Sequence, residues 1–257
     1  MYSKHEKPVI TCSIFYYDTD YKKNTGKQVL DVLEKYNMFP PEKFYAGKLT
    51  KNRFIYASEA TKEVLTQAYS EKDILALDMA SGDSRKVDDY WRVQWNLSFL
   101  KNSKIAVRPT FMPWNVLSIY STHERMNDPA IYLEFFSCMR ELIEFLHPFY
   151  AVVDDVSNKV KLMDLAHEPY FVPDRIQEIY WGNYFGEFHC EHYGIDKINA
   201  IPANNVEEIG NGVFFSLTNH VLEYGSRECQ NVRRIVKNYL RTGEKTGDGF
   251  LSSIADP

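Results

Sequence analysis

Apolar and polar positions alternate along most of this chain at one of two periods, and the period predicts each element. Pro8–Tyr17 is β-branched and aromatic, the composition of a first strand. Thr25 to about Met38 carries Val29, Leu30, Val32 and Leu33 on one side, so a helix is expected there, stopped by Phe39-Pro40-Pro41. Short strands follow at 44–49 and 54–57, then a second helix opening at Ser58 and ending near Tyr69. Asp73–Met79 reads as a strand, with Ser81-Gly82-Asp83 as a turn. In Tyr90–Phe99 the residues Trp91, Val93, Trp95, Leu97 and Phe99 share one face, and Arg92, Gln94, Asn96 and Ser98 share the other. That alternation predicts a half-exposed strand, with Trp114–Thr122 as its neighbour.

The second half has sharper punctuation. Asp128-Pro129 is a helix start, with a capping side chain followed by proline at the first helical position. The helix should run to about Leu146, where His147-Pro148 ends it, burying Ile131, Phe135, Met139, Leu142 and Phe145. Tyr150–Val153 reads as a strand ending in Asp154-Asp155, and a short helix is expected around Asn158–Leu165. Gly210-Asn211-Gly212 between Val206–Ile209 and Val213–Leu217 signals a tight hairpin. A last amphipathic helix spans Ser226 or Arg227 to Leu240, with Val232, Ile235, Val236 and Leu240 inward. Together these predict an α+β fold, an antiparallel sheet covered by helices, whose order is compatible with two related halves. We expect one domain over residues 1–242, divisible near residue 125, and a flexible tail over 243–257.

Composition narrows the function by exclusion. With 44% hydrophobic residues the chain can build a large core, and 18 Tyr and 16 Phe make it aromatic. No window reaches the roughly 20 apolar residues of a membrane span, and the N-terminus carries no signal-peptide core. Four scattered cysteines without a CxxC pair suit a reducing compartment, so a cytoplasmic protein is expected. Cys12 and Cys138 read as packing residues, Cys190 and Cys229 as more exposed. The net charge of −5 is unevenly spread: residues 128–209 hold 15 Asp and Glu against five Lys and Arg. Such a block repels nucleic acid and steers a basic partner, although an ordinary solvated face has the same composition.

Candidate chemistry is sparse. His189-Cys190-Glu191-His192 places two histidines at i and i+3, which with a carboxylate would suit a metal-assisted hydrolase. It lacks the spacer of the zinc-protease motif, and a polar helix bearing two surface histidines explains it as well. Paired acids occur at Asp18/Asp20, Asp88/Asp89, Asp154/Asp155 and Glu207/Glu208, but adjacent acids on a strand point to opposite faces. No nucleophile elbow or phosphate loop occurs, so no catalytic residue and no cofactor are assigned. Arg227, Arg233, Arg234, Lys237 and Arg241 suit the C-terminal end of a helix dipole better than a nucleic-acid patch.

The most distinctive stretch is Ile179-Tyr180-Trp181-Gly182-Asn183-Tyr184-Phe185-Gly186, an aromatic strand entering a turn whose glycines free the backbone. A short polar helix, the Gly210 hairpin and a basic helix follow. That order resembles the immunity protein 52 family of bacterial polymorphic-toxin systems over residues ~170–242, and more loosely over ~73–155. The resemblance implies a cytoplasmic, non-catalytic inhibitor that binds a cognate toxin domain. Combined with the acidic block, it points to a basic toxin met by Asp154, Asp155, Glu187 and Glu191 as acids and by Trp181 and Tyr184 as aromatic anchors. The other readings are the metal-assisted hydrolase and a binding module outside toxin systems. The oligomeric state is left open.

Overall fold

The structure is a computed structural model, and it describes residues 9–17, 23–38, 43–48, 54–57, 62–70, 74–81, 91–96, 115–155 and 178–241. Positions 82 and 83 of the expected turn, the 158–165 helix, Asp18/Asp20, Asp88/Asp89 and the tail lie outside the described residues.

Among the described residues, ten strands form one antiparallel sheet. They are β1 (Val9–Tyr16), β2 (Lys43–Lys48), β3 (Phe54–Ala57), β4 (Ile74–Ser81), β5 (Trp91–Asn96), β6 (Asn115–Thr122), β7 (Tyr150–Asp155), β8 (Gly182–Phe185), β9 (Asn205–Ile209) and β10 (Gly212–Ser216). Their spatial order is β3-β2-β4-β5-β6-β1-β7-β8-β10-β9. The helices are α1 (Lys23–Lys35), α2 (Lys62–Ser70), α3 (His123–Met126), α4 (Pro129–Leu146), α5 (Glu187–Tyr193), α6 (Ile195–Asn199) and α7 (Arg227–Arg241), with a 3-10 turn at Val221–Glu223. The fold is α+β, as the periodicity predicts. β1 lies between β6 and β7, so the two sides of residue 125 share one continuous sheet.

Cα partners across a ladder share a face, which sorts the side chains. Cys12, Ile119, Val93 and Met79 line up across four strands on the face that carries α1, α2 and α4. There Tyr69 of α2 stacks on Trp95 at 5.1 Å, and the Trp95 indole N–H donates to the Tyr16 hydroxyl at 2.7 Å. The opposite face carries Ser13 and Ser118, hydroxyl to hydroxyl at 3.0 Å, and a half-buried ladder of Asp78, Arg92, Gln94 and Tyr120. Over β7 and β8 this face is covered by α5 and α7: His189 of α5 packs on Tyr150 and Phe185, and Arg233 of α7 reaches Asp154.

Local signals are used as read. The Asp128 carboxylate accepts from Ala130 N–H at 2.8 Å with Pro129 at the first position, and His147 ends α4 in the left-handed region. Phe135, Met139 and Leu142 are buried along the expected stripe. Ile209 pairs with Gly212 around the two-residue hairpin, Gly210 taking a φ of +58°. α7 departs in one respect. Cys229, Val236 and Leu240 face the core, but Ile235 is 40% exposed, because it sits beside that stripe rather than on it. Among the described residues, no helix is long and apolar enough to cross a membrane.

Candidate partner-binding surface

The aromatic run that dominates the sequence is core. β8 is paired on both edges, to β7 and to β10, and its residues are buried on both faces. Tyr184 is 0% and Trp181 2% exposed. The Trp181 indole meets Phe136 of α4 edge-on at 5.7 Å and donates to the Thr218 hydroxyl at 2.8 Å. The Tyr184 hydroxyl donates to the Ile209 carbonyl at 3.2 Å, which ties β8 to the end of β9. Asn183, wholly buried, closes a ring with the Tyr180 peptide: its Oδ1 accepts from Tyr180 N–H and its Nδ2 donates to Tyr180 O, both at 2.9 Å. The polar side-chain groups of Trp181, Asn183 and Tyr184 are thereby satisfied internally.

The glycines of the run serve packing rather than unusual backbone angles. Gly186 has φ −74°, open to any residue, but a Cβ there would lie 2.1 Å from Pro148 O. A Cβ on Gly182 would press on the Phe214 ring and on Val153 at about 3.0 and 3.1 Å. Strand and loop approach too closely for a side chain.

The acid pair before this run is structural as well. Asp154 and Asp155 are 1% and 4% exposed and point to opposite faces, as the strand requires. Asp154 accepts from the backbone N–H of Asp155 at 2.7 Å and of Trp181 at 3.0 Å, and from Arg233 at 3.4 Å. It pins the segment entering β8 to β7 and anchors α7. Asp155 lies 3.2 Å from His123 Nε2. Burial first, and the charge of Asp155 after it, raise the pKa of the Tyr224 phenol. Four of the six residues expected at a partner interface, Asp154, Asp155, Trp181 and Tyr184, are therefore interior side chains that present no surface. The sequence misleads here because pairing on both strand edges is a tertiary fact, absent from the local pattern.

Glu187 and Glu191 are exposed, and they lie in a different company from the one expected. α5 and α6 meet at Gly194, whose φ of +84° splays the two short helices into a knuckle. On it stand two large apolar residues, Phe188 at 47% and Ile195 at 43% exposure. Phe188 lies parallel to His192, ring centroids 6.5 Å apart. Around them Glu187, Glu191 and Asp196 are all exposed, and Asn199 Nδ2 holds exposed Glu208 of the edge strand β9 at 2.8 Å. Asn211 Nδ2 donates to Glu187 at 3.2 Å, steadying one acid of the rim. The one lysine of the knuckle, Lys197, turns inward: its ammonium donates to Leu240 O at 2.9 Å and lies 5.8 Å from the Tyr193 ring. Apolar anchors inside an acidic rim are the layout of a protein-binding surface. Phe188 stands in the sequence beside Glu187, and no local signal marks it as exposed.

The histidine pair does not converge. His189 is 1% exposed and its Nδ1–H donates to Phe149 O at 2.9 Å, while His192 is exposed on the outer side of α5. Among the described residues no group of three His, Cys, Asp or Glu side chains is placed to hold a metal ion. Cys190 and Cys229 are buried like Cys12 and Cys138, contrary to the expectation of exposure, because each falls on the inward side of its helix. Burial pushes the Cys190 thiol up, and that of Cys229 to about 11. Of the cations on α7, Arg233 is spent on Asp154 and Lys237 on Glu178 at 2.5 Å, so they dock the helix.

No family model matches the chain, and no curated protein matches it. Among solved structures, the Pseudomonas aeruginosa T6SS protein PA0821 is similar at a TM-score of 0.61 and 14% identity, over 95% of this chain and 78% of that one. At that identity the likeness is one of fold.

Proposed function

We propose that this chain is a non-catalytic immunity-type protein that binds and neutralises a basic toxin domain through the α5–α6 knuckle. The observation that carries the reading is the exposure of Phe188 and Ile195 inside a ring of Glu187, Glu191 and Asp196. Large apolar side chains left in water next to a concentrated negative charge favour a partner that covers the first and complements the second. The rim acids would set the association rate, and the apolar pair would hold the complex once formed. Two further facts support a toxin-system setting: the order of elements after Ile179, which resembles immunity protein 52, and the fold shared with a T6SS protein. We place the protein in the cytoplasm on the same grounds.

The test is co-expression with the protein encoded by the adjacent reading frame, scored by rescue of growth and by a complex on gel filtration. Phe188→Ala should raise the dissociation rate, and Glu187→Lys with Glu191→Lys should slow association and flatten its salt dependence. Rescue and complex left intact by the triple variant would move the interface elsewhere. A harmless neighbour that forms no complex would remove the immunity reading itself.

A further inference from the structure

On the other face of the sheet, between β5, β6 and the helices α1, α3 and α4, lies a cleft of about 300 Å³ that the partner-binding surface does not use. Its lining is mixed: Trp91 from β5, Met38 beyond α1, and Ile131 and Phe135 from α4 supply an apolar wall, and Asn37, Ser121, Arg125 and Glu134 supply polar groups. Among the described residues, two polar groups of this lining have an atom without a hydrogen-bond partner. Ser121, only 3% exposed, has a buried hydroxyl with no hydrogen bond, and the buried Nε of Arg125 has none either. No ion pair engages the Arg125 guanidinium among the described residues, although Glu134 lines the same cleft. Buried polar atoms are nearly always satisfied, so two orphans in one lining call for an explanation.

The walls are preorganised. α1 ends in a left-handed Asn37 at φ +58°, with Asn37 N–H donating to Glu34 O and Met38 N–H to Leu33 O. Tyr36 is fixed by its hydroxyl donating to Glu141 at 3.0 Å. Arg125 rises from a helix whose first turn is capped by Thr122. The cation is thus held on a rigid frame rather than on a free loop.

We infer that this cleft is a binding site for a small organic monocarboxylate with a flat apolar body. The guanidinium fork matches a carboxylate, the Ser121 hydroxyl can donate to the same anion, and the Trp91–Phe135–Met38 wall takes the body. One arginine opposed by Glu134 suits a single negative charge and disfavours a phosphate dianion. The volume is at the lower end for ligand sites, which sets the size at a single ring.

Phenylacetate is the probe, titrated into the full chain and followed by thermal shift and by the Trp91 indole N–H resonance, assigned with Trp91→Phe. Saturable binding is expected, with a shift of that resonance alone among the four indoles. Phenylacetamide, equal in shape but uncharged, and inorganic phosphate should both bind at least roughly tenfold more weakly. Arg125→Gln should lose roughly tenfold or more in affinity, and Ser121→Ala a smaller factor. If Arg125→Gln fails to fold, Arg125→Lys, which keeps the charge and loses the fork, should still weaken binding, and the amide comparison needs no variant. No saturable binding of phenylacetate, equal binding of the amide, or a preference for phosphate would each overturn the assignment. Toxin rescue by Arg125→Gln should stay at the wild-type level, so this site and the knuckle fail or stand separately.

Discussion

The run Ile179–Phe185 and the knuckle that follows it within a few residues both carry large apolar side chains, and these meet opposite fates. Trp181 and Tyr184 are sealed because β8 has a neighbour on each edge and helices on both faces. Phe188 and Ile195 are left in water because α5 and α6 are short and bent apart at Gly194, each burying one side only. Buried aromatics here contribute stability, and exposed ones are free to contribute binding. The line between them is drawn by Gly186, where the chain touches Pro148 O and turns from strand to helix.

Substitutions can press on that contrast from the interior outward. Trp181→Ala should be the most damaging, at about 3–5 kcal/mol in urea unfolding, since it empties a site packed against Phe136 and removes the indole donor to Thr218. Gly186→Ala should cost about as much as a core truncation, because its Cβ meets backbone rather than a yielding side chain. Asp154→Ala removes the acceptor of two backbone N–H groups and of Arg233, and should cost about 2–3 kcal/mol. If it costs little, the anchoring of α7 by this carboxylate is wrong.

Alkali should act on the same interior more gently. Burial raises the Tyr132 phenol to about 12 and the Cys229 thiol to about 11, and also raises Cys190. Unfolded, these groups ionise near their ordinary values, so above about pH 8.5 the unfolded chain loses protons that the folded chain keeps. Stability is full below that pH and should decline steadily up to about pH 12, as a falling Tm. Between about pH 6 and 8 these groups should leave it flat. The smallest stability effect belongs to the knuckle: Phe188→Ala and Glu191→Lys should each stay within about 0.5 kcal/mol of wild type. A large loss of stability from either would mean that the surface is structural after all.

How far this could be read from sequence depends on where the determining contact lies. α4 was legible because its start and stop are set by adjacent residues, Asp128-Pro129 and His147-Pro148. The pairing of β5 with β6 followed from two alternating aromatic runs, and the β9–β10 hairpin from Gly210-Asn211. The burial of Asp154 was not legible, since its partners Trp181 and Arg233 are 27 and 79 residues away. Nor was the Arg125–Ser121 cleft, whose walls come from four elements and the segment that follows α1. Ile235 shows a finer limit: the period and phase of α7 were right, since Val236 and Leu240 are buried, but the stripe is narrower than expected and leaves Ile235 outside it.

The place of β1 in the sheet has a consequence for how the protein is made. β1 leaves the ribosome well before its two neighbours, β6 and β7, which lie within residues 115–155. Until that stretch has been synthesised, Val9–Tyr16 is an apolar segment with both backbone edges unpaired, the state most exposed to misassociation. Closure of the sheet must then wait for contacts of long sequence separation, which are slow to form. Nascent chains shorter than about residue 155 should therefore depend on chaperones, whereas the finished protein keeps that strand at its centre.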